Sequence, residues 1–169
     1  LLPLALGFAP GRIGKWARYL SFGVLGLVAL ANVVALILVL LPVVDEQSKM
    51  SGHQLIMMAL CIWLVNLMVL AIAYWELDRG GPKARMRADH RDADFLFPQM
   101  ASPGASARTW APGFSDYLYV SLTNAMAFSP ADAIPLTKTA KALMSFQSLY
   151  SLLAFALVAG RAINIFNSG

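Results

Sequence analysis

Long apolar stretches, separated by short polar segments, dominate the pattern of residues along the chain. Three of these stretches are long enough to cross the hydrocarbon core of a bilayer, which needs about 20 apolar residues. Basic residues precede the first (Arg12, Lys15, Arg18) and the third (Lys138, Lys141). The pattern therefore predicts three transmembrane helices, at residues 19–44, 54–75 and 142–166.

Composition agrees with a chain whose natural solvent is the bilayer. Of its 169 residues 59% are hydrophobic and 13% are charged, whereas soluble domains carry about 25% charged residues. This excludes an ordinary soluble enzyme and a disordered chain. The single Cys61 excludes an intramolecular disulfide. We expect an all-α integral membrane protein, and we expect residues 1–9, which begin with Leu1, to be the end of an earlier membrane helix.

The segment between the second and third spans divides into a loop and a short helix. The loop comprises residues 78–113, and Gly80-Gly81-Pro82 near its start stops the preceding helix. It contains an apolar island, Phe95-Leu96-Phe97-Pro98. We interpret this island as a hydrophobic anchor at the membrane surface or a contact for a partner.

The short helix is predicted at residues 114–128 and is too short to span a bilayer. Pro130 interrupts the pattern after it, and the third span follows. A short helix, an irregular stretch and a full helix predict a re-entrant loop, which must be buried in protein or line a wet cavity. The alternative is a short helix that lies flat at the membrane surface.

Residues 121–137, read as SLTNAMAFSPADAIPLT, resemble the pore region of potassium channels, roughly S-F-T-T-x-T-T-V-G-Y-G-D-x-x-P-x-T. Without a gap, Ser121, Thr123, Asp132, Pro135 and Thr137 fall on matching positions. The resemblance implies an outer helix (54–75), a pore helix (114–128), a filter-like segment (127–132) and an inner helix (138–166), after an N-terminal membrane segment (1–52). It also implies a homotetramer. The chain further resembles a bacterial membrane-protein group with a WELDRGGP…DFLFPQM…AFSP pattern, for which no activity is established.

The filter-like segment departs from the potassium-channel pattern where selectivity is made. Channel carbonyls replace the ion's water shell, and glycines permit the required backbone angles. This chain instead carries Ala127, Phe128, Ser129, Pro130, Ala131 and Asp132. Since Pro130 has a fixed φ and Ala131 resists positive φ, a potassium-type carbonyl ladder is not expected. The resemblance therefore predicts weak or altered cation selectivity.

Several polar side chains are candidates for the pore, and each has an alternative role. Asp132, repeated around an oligomer, would form a ring of carboxylates, or it would fasten its loop to the outer helix by a hydrogen bond. Gln147, Ser148 and Ser151 share a helical face. With Thr123 they are candidates to line a water path, whereas hydrogen bonding between helices is the alternative for the three on the third span.

No enzymatic, metal or nucleic-acid site is predicted. Cys61, His53 and His90 have no ligand or base at a useful spacing, and no cofactor is expected. The net charge of +4 comes from basic residues that flank apolar spans. We predict a multi-pass protein of the bacterial inner membrane that contacts lipid and monovalent cations and conducts cations. The alternative is a channel-derived scaffold that no longer conducts.

The sidedness of the loop is left open by two conflicting signals. In a three-span arrangement, most of the thirteen basic residues fall on one side: Arg12, Lys15, Arg18, Arg79, Lys83, Arg85, Arg87, Arg91, Arg108, Lys138 and Lys141. The positive-inside rule makes that side cytoplasmic. The potassium-channel resemblance places the 79–108 segment outside instead.

Overall fold

The computed structural model describes residues 10–44, 51–86, 91–101, 110–127 and 133–167. The chain is mostly helical, at 83%, which confirms the prediction of a mainly helical protein. The helices are α1 (Pro10–Val44), α2 (Gly52–Leu77), α3 (Pro82–Arg85), α4 (Pro98–Ala101), α5 (Phe114–Ala127) and α6 (Lys138–Asn167). Two short strands, β1 (Phe95–Leu96) and β2 (Ile134–Pro135), are an addition to the all-helical prediction.

Among the described residues, two helices are long and apolar enough to cross a membrane, with spans at Tyr19–Val39 and His53–Gly80. The first lies within the predicted span at 19–44, and the second contains the predicted span at 54–75. The third predicted span lies within α6, whose 30 residues extend about 45 Å. Its membrane crossing stays a prediction.

The ends of α2 are fixed by local chemistry. At the start, Ser51 accepts a hydrogen bond from the backbone N–H of Gln54, and the Gln54 side chain accepts one from the Ser51 N–H. This capping box satisfies two backbone donors that the helix leaves unpaired. At the other end, Arg79, Gly80 and Gly81 all have positive φ. A Cβ on Gly81 would lie 3.2 Å from Glu76 Oε2, so this turn requires glycine.

The relative directions of α1, α2 and α6 follow from the contacts between them. Asn32 of α1 donates to the Ile62 carbonyl of α2, and Tyr150 of α6 donates to the Asn32 carbonyl. Leu25 and Ala29 of α1 pack on a cluster that contains the C-terminal part of α2 and the start of α6, whereas Leu36 and Val39 of α1 pack on a cluster that contains the N-terminal part of α2. Helices α1 and α6 therefore run in the same direction, opposite to α2.

The hydrophobic core has two clusters along the helix axes. One, at the C-terminal end of α2, joins residues of α2, β1, α5 and α6: Val69, Leu70, Tyr74, Phe95, Phe97, Tyr117, Val120, Ala133, Ala140 and Met144. The other, toward the opposite end, joins α1, α2 and α6: Leu36, Val39, Leu55, Ala59, Ile62, Tyr150 and Ala154. Helix α5 contributes only to the first cluster, so it extends along part of the length of α2.

The apolar island does not take either role predicted for it. Phe95 and Phe97 are buried, and both rings pack edge-on against Tyr117. Phe95 also pairs with Pro135 in the antiparallel β1–β2 ladder. The prediction of a membrane anchor or partner contact was therefore wrong for these two rings, because burial against α5 removes more apolar surface from water than a surface position does.

Candidate functional site

Two buried carboxylates lie where α2 ends, and we call them with their partners the aspartate clamp: Asp78, Asp94, Tyr117 and Thr137. Asp78 is fully buried. Its Oδ2 accepts from the Tyr117 hydroxyl at 2.6 Å, and its Oδ1 accepts from the Asp94 N–H at 2.8 Å. The hydroxyl of Thr137, one residue before α6, donates to Asp94 Oδ1 at 2.8 Å. The clamp thus joins the end of α2 to the starts of α5 and α6.

Arginines complete the hydrogen bonding of this end. Asp94 Oδ2 accepts from the Arg79 backbone N–H and from Arg91 Nη2, each at 3.0 Å. Arg85 Nη1 donates to the carbonyls of Trp75 and Asp78, and Arg91 Nη2 donates to the Leu77 carbonyl at 2.6 Å. These cations satisfy carbonyls that the end of a helix leaves unpaired and compensate its partial negative charge.

The Tyr117 phenol stays neutral in this setting. Burial raises the pKa of Tyr117 above its ordinary value, and the hydrogen bond to Asp78 raises it further. The Arg85 guanidinium lies 5.2 Å from the centre of the Tyr117 ring, a distance at which a cation is attracted to an aromatic face. Tyr117 therefore acts as a hydrogen-bond donor that holds the first turn of α5 on α2.

A second set of polar groups lies between α2, α5 and α6, further along α5 than the clamp. We call it the glutamine network, and its members are Tyr74, Ser121, Asn124, Gln147 and Ser148. Gln147 is fully buried. Its Oε1 accepts from the Tyr74 hydroxyl at 2.6 Å and from Asn124 Nδ2 at 3.0 Å. Its Nε2 donates to the carbonyl and hydroxyl oxygens of Ser121, at 3.1 Å and 2.6 Å. All four bonding positions of the amide are therefore used.

The remaining members connect the network to the backbones of the neighbouring helices. The Ser121 hydroxyl donates to the Leu67 carbonyl of α2 at 2.7 Å. Asn124 Nδ2 donates to the Met144 carbonyl, and Asn124 Oδ1 accepts from the Ser148 hydroxyl. Because an unsatisfied polar group in an apolar interior is costly, these bonds fix the position of α5 between α2 and α6.

The structure places the predicted site residues in different surroundings. Gln147 and Ser148 hydrogen-bond between helices, which is the alternative role predicted for them. Ser151 is buried on the same helix, and the Thr123 hydroxyl bonds to the carbonyls of Tyr119 and Val120 in its own helix. Ala127 is the last residue of α5. The other five filter-like residues lie outside the described residues: Phe128, Ser129, Pro130, Ala131 and Asp132.

Sequence reasoning missed the clamp and the role of Tyr74. Tyr74 lies near the end of an apolar run, where a tyrosine is typical of the membrane surface, but it is fully buried and donates its hydroxyl to Gln147. The local ion pair that neighbours of opposite charge suggest is present, with Arg79 Nε 3.8 Å from Asp78 Oδ2. The shorter contacts of Asp78 are the hydrogen bonds from the Tyr117 hydroxyl and the Asp94 backbone N–H. The available signal was an aspartate directly after an apolar run. A periodic pattern does not identify its partners, which are 16 and 39 residues away.

In chemical terms the arrangement is a set of fixed hydrogen bonds between helices. Across the described ranges, no group of three or more His, Cys, Asp or Glu side chains is placed to hold a metal ion. The aspartate clamp and the glutamine network together position α5 against α2 and α6.

Comparison with known proteins adds no family assignment. No family model matches the chain, no curated protein matches it and no solved structure matches it.

The clamp predicts a specific sensitivity at Asp94. Replacing Asp94 with Asn removes a charge that accepts from Arg91, Thr137 and the Arg79 backbone. We expect Asp94→Asn to lower the free energy of unfolding by about 2 kcal/mol, since hydrogen bonds to a charged group are the stronger kind. Unfolding in detergent micelles measures this. Asp92→Asn, at an exposed position of the same segment, is the matched control and should change stability by less than about 0.5 kcal/mol. Equal losses for the two variants would contradict the clamp.

The glutamine network predicts a large effect of an apolar replacement of similar length. In Gln147→Met, the Tyr74 hydroxyl and the Asn124 amide lose their shared acceptor. We expect a loss of about 2 kcal/mol in the free energy of unfolding, whereas Gln99→Met, at an exposed position, should be nearly neutral. The double variant with Tyr74→Phe should lose less than the sum of the two single losses. Strict additivity would show that Tyr74 and Gln147 do not act together.

Proposed function

We propose that this chain is the subunit of a pore-loop membrane assembly that conducts cations with weak or altered selectivity. The observation that carries the proposal is the reversal of the chain around α5. Tyr117, near the start of α5, is bonded to Asp78, while Asn124 lies beside Gln147, deeper along α6. Ala133, the next described residue after α5, is back in the cluster with Tyr74 and Tyr117. The chain thus enters and returns at one end of the helices.

The length of α5 matters in a membrane because 14 residues are too few to cross the hydrocarbon layer. If α1 and α2 cross the bilayer, the 14 residues of α5 end inside the hydrocarbon layer. Irregular backbone at that depth must be covered by protein or face a water-filled cavity. Further copies of the subunit around a shared axis would supply both, which supports the homotetramer implied by the potassium-channel resemblance.

The polarity of α5 supports cations as the permeating species. The C-terminal end of a helix carries a partial negative charge, and broken helices in membrane proteins direct such ends at cation sites. Asp132, five residues after the end of α5, would add a ring of carboxylates in an oligomer. The replacement of the glycines in the filter-like segment supports weak discrimination among those cations. We place the assembly in the bacterial inner membrane.

A second candidate function, a non-conducting scaffold, is favoured by a different observation. Gln147 and Ser151 are buried within one subunit, so neither offers its side chain to a shared water path in this arrangement. The exposed large side chains of α6 are apolar: Phe146, Leu149, Leu152, Leu153 and Phe155. Such a face suits lipid or another apolar helix.

Ion flux from reconstituted oligomers of known subunit number separates the two candidates. We expect a tetramer in mild detergent and, in liposomes, a flux of monovalent cations that discriminates poorly between sodium and potassium. Asp132→Asn should reduce this flux several-fold by removing the carboxylate ring, with Asp92→Asn as the control at an exposed carboxylate. Verified oligomers that pass no cation under any ionic condition, or a monomer, would support the scaffold.

A further inference from the structure

The side chain of Arg79, in the turn after α2, has no oxygen acceptor among the described residues. Its Nη2 donates to the thioether sulfur of Met100 at 3.3 Å, and a thioether is a weak acceptor. Asp78 Oδ2 lies 3.8 Å from Arg79 Nε, a distance that allows charge attraction but is too long for a hydrogen bond. The guanidinium therefore keeps most of its five N–H donors unused.

The carboxylates of the clamp do not supply the missing acceptor. All four carboxylate oxygens of Asp78 and Asp94 already accept hydrogen bonds from groups other than the Arg79 guanidinium. The neighbouring Arg85, by contrast, donates to two carbonyl oxygens. Since the charged form of an arginine is satisfied best by oxygen anions, Arg79 is the cation of this turn that lacks its preferred partner.

Part of the Arg79 guanidinium reaches the surface of the protein. The side chain is 13% exposed. Its Nε is buried without a hydrogen bond, whereas Nη1, which also makes no hydrogen bond to the described residues, is not among their buried polar atoms. The two N–H groups of Nη1 are therefore accessible from outside, and a ligand contacts them without entering the interior.

The position of Arg79 along α2 indicates which oxygen anion lies nearby in a membrane. Arg79 is the penultimate residue of the apolar span His53–Gly80. In a bilayer that α2 crosses, residues at the end of the span lie at the depth of the lipid headgroups, where arginine and aromatic residues are common. The anions at that depth are the phosphate groups of phospholipids.

The charge of this end of the helices favours lipids with a net negative charge. Helices α1 and α6 begin beside the end of α2, so their first basic residues add to those of the turn. In the described ranges this end carries more basic than acidic residues: Arg12, Lys15, Arg18, Arg79, Lys83, Arg85, Arg91, Lys138 and Lys141 against Glu76, Asp78, Asp92, Asp94 and Asp116. Basic residues next to a membrane span attract anionic phospholipids.

We propose that Arg79 binds the phosphate group of an anionic phospholipid at the end of α2. The phosphate oxygens accept from the exposed Nη1 donors and neutralise a charge that Asp78 pairs with only at a distance. A lipid is favoured over a free phosphate ion because its acyl chains keep the headgroup beside the apolar span. The site requires that α2 crosses a membrane, but it does not depend on ion conduction or on further subunits.

The direct test counts the lipids bound to the unaltered full chain by native mass spectrometry from detergent micelles. The probes are phosphatidylglycerol and phosphatidylcholine with identical acyl chains. At equal concentrations below saturation, we expect about fivefold more bound phosphatidylglycerol, and inorganic phosphate at the concentration of the lipid should not displace it. Equal binding of the two lipids would overturn the proposal, and displacement by inorganic phosphate would assign the site to a free anion instead.

Variants then assign the phosphate contact to Arg79. We expect Arg79→Gln to reduce phosphatidylglycerol binding about tenfold, the effect of losing a charge-assisted hydrogen bond. Arg79→Lys keeps the charge without the planar set of donors and should retain part of the binding. Lys141→Gln removes the same charge at an exposed position of the same end, and it should change binding less than about twofold because salt screens exposed charges. Equal losses in Arg79→Gln and Lys141→Gln would contradict a site at Arg79.

Discussion

The rest of the structure depends on the hydrogen bonding of two carboxylates buried at the end of α2. Asp78 and Asp94 are 0% and 4% exposed, and a charge buried to that extent is tolerated only when hydrogen-bonded partners surround it. Those partners are Tyr117 in the first turn of α5, Thr137 directly before α6 and the backbone of the turn after α2. One electrostatic requirement therefore brings three distant parts of the chain to the same place.

The position of α5 along α2 and α6 is fixed by the Tyr117–Asp78 hydrogen bond together with the glutamine network. Tyr117 holds the start of the helix, and Ala133, twelve residues after Ser121 in the chain, is back in the core cluster that contains Tyr74. Between them, Ser121 and Asn124 meet Gln147, whose amide has no bonding position left for another group. The same contacts that fix α5 thus remove Gln147 from the set of side chains that would otherwise line a water path. Any path along this element would depend on the chain that follows α5 and on neighbouring subunits.

Most of the helices could be predicted from the sequence. The length of an apolar stretch and the residues that end a helix are local signals, which need no knowledge of the tertiary structure. The predicted helix at 114–128 coincides with Phe114–Ala127, and the predicted second span at 54–75 lies within Gly52–Leu77. What the sequence does not show is which polar groups meet. Asp94 and Thr137 are 43 residues apart, and Tyr74 and Gln147 are 73 apart. The periodicity of apolar residues identifies which face of a helix is buried. Which polar side chains on two buried faces form a hydrogen bond depends on how the helices pack together. For the same reason Phe95 and Phe97 were predicted as surface anchors, although both rings are buried against Tyr117, which lies more than 15 residues further along the chain.

The most direct measurement is the membrane depth of nitroxide labels at three positions, each introduced as a single cysteine after Cys61→Ser. Ser115 and Thr139 are exposed near the starts of α5 and α6, and Met126 is exposed in the last turn of α5. Power saturation with oxygen and an aqueous nickel complex reports whether each label meets water or hydrocarbon. We expect Ser115→Cys and Thr139→Cys to meet the aqueous complex at the same membrane face, and Met126→Cys to lie within the hydrocarbon layer. A label at position 126 as shallow as that at 115, or labels at 115 and 139 on opposite faces, would contradict an α5 that enters the membrane and a chain that returns.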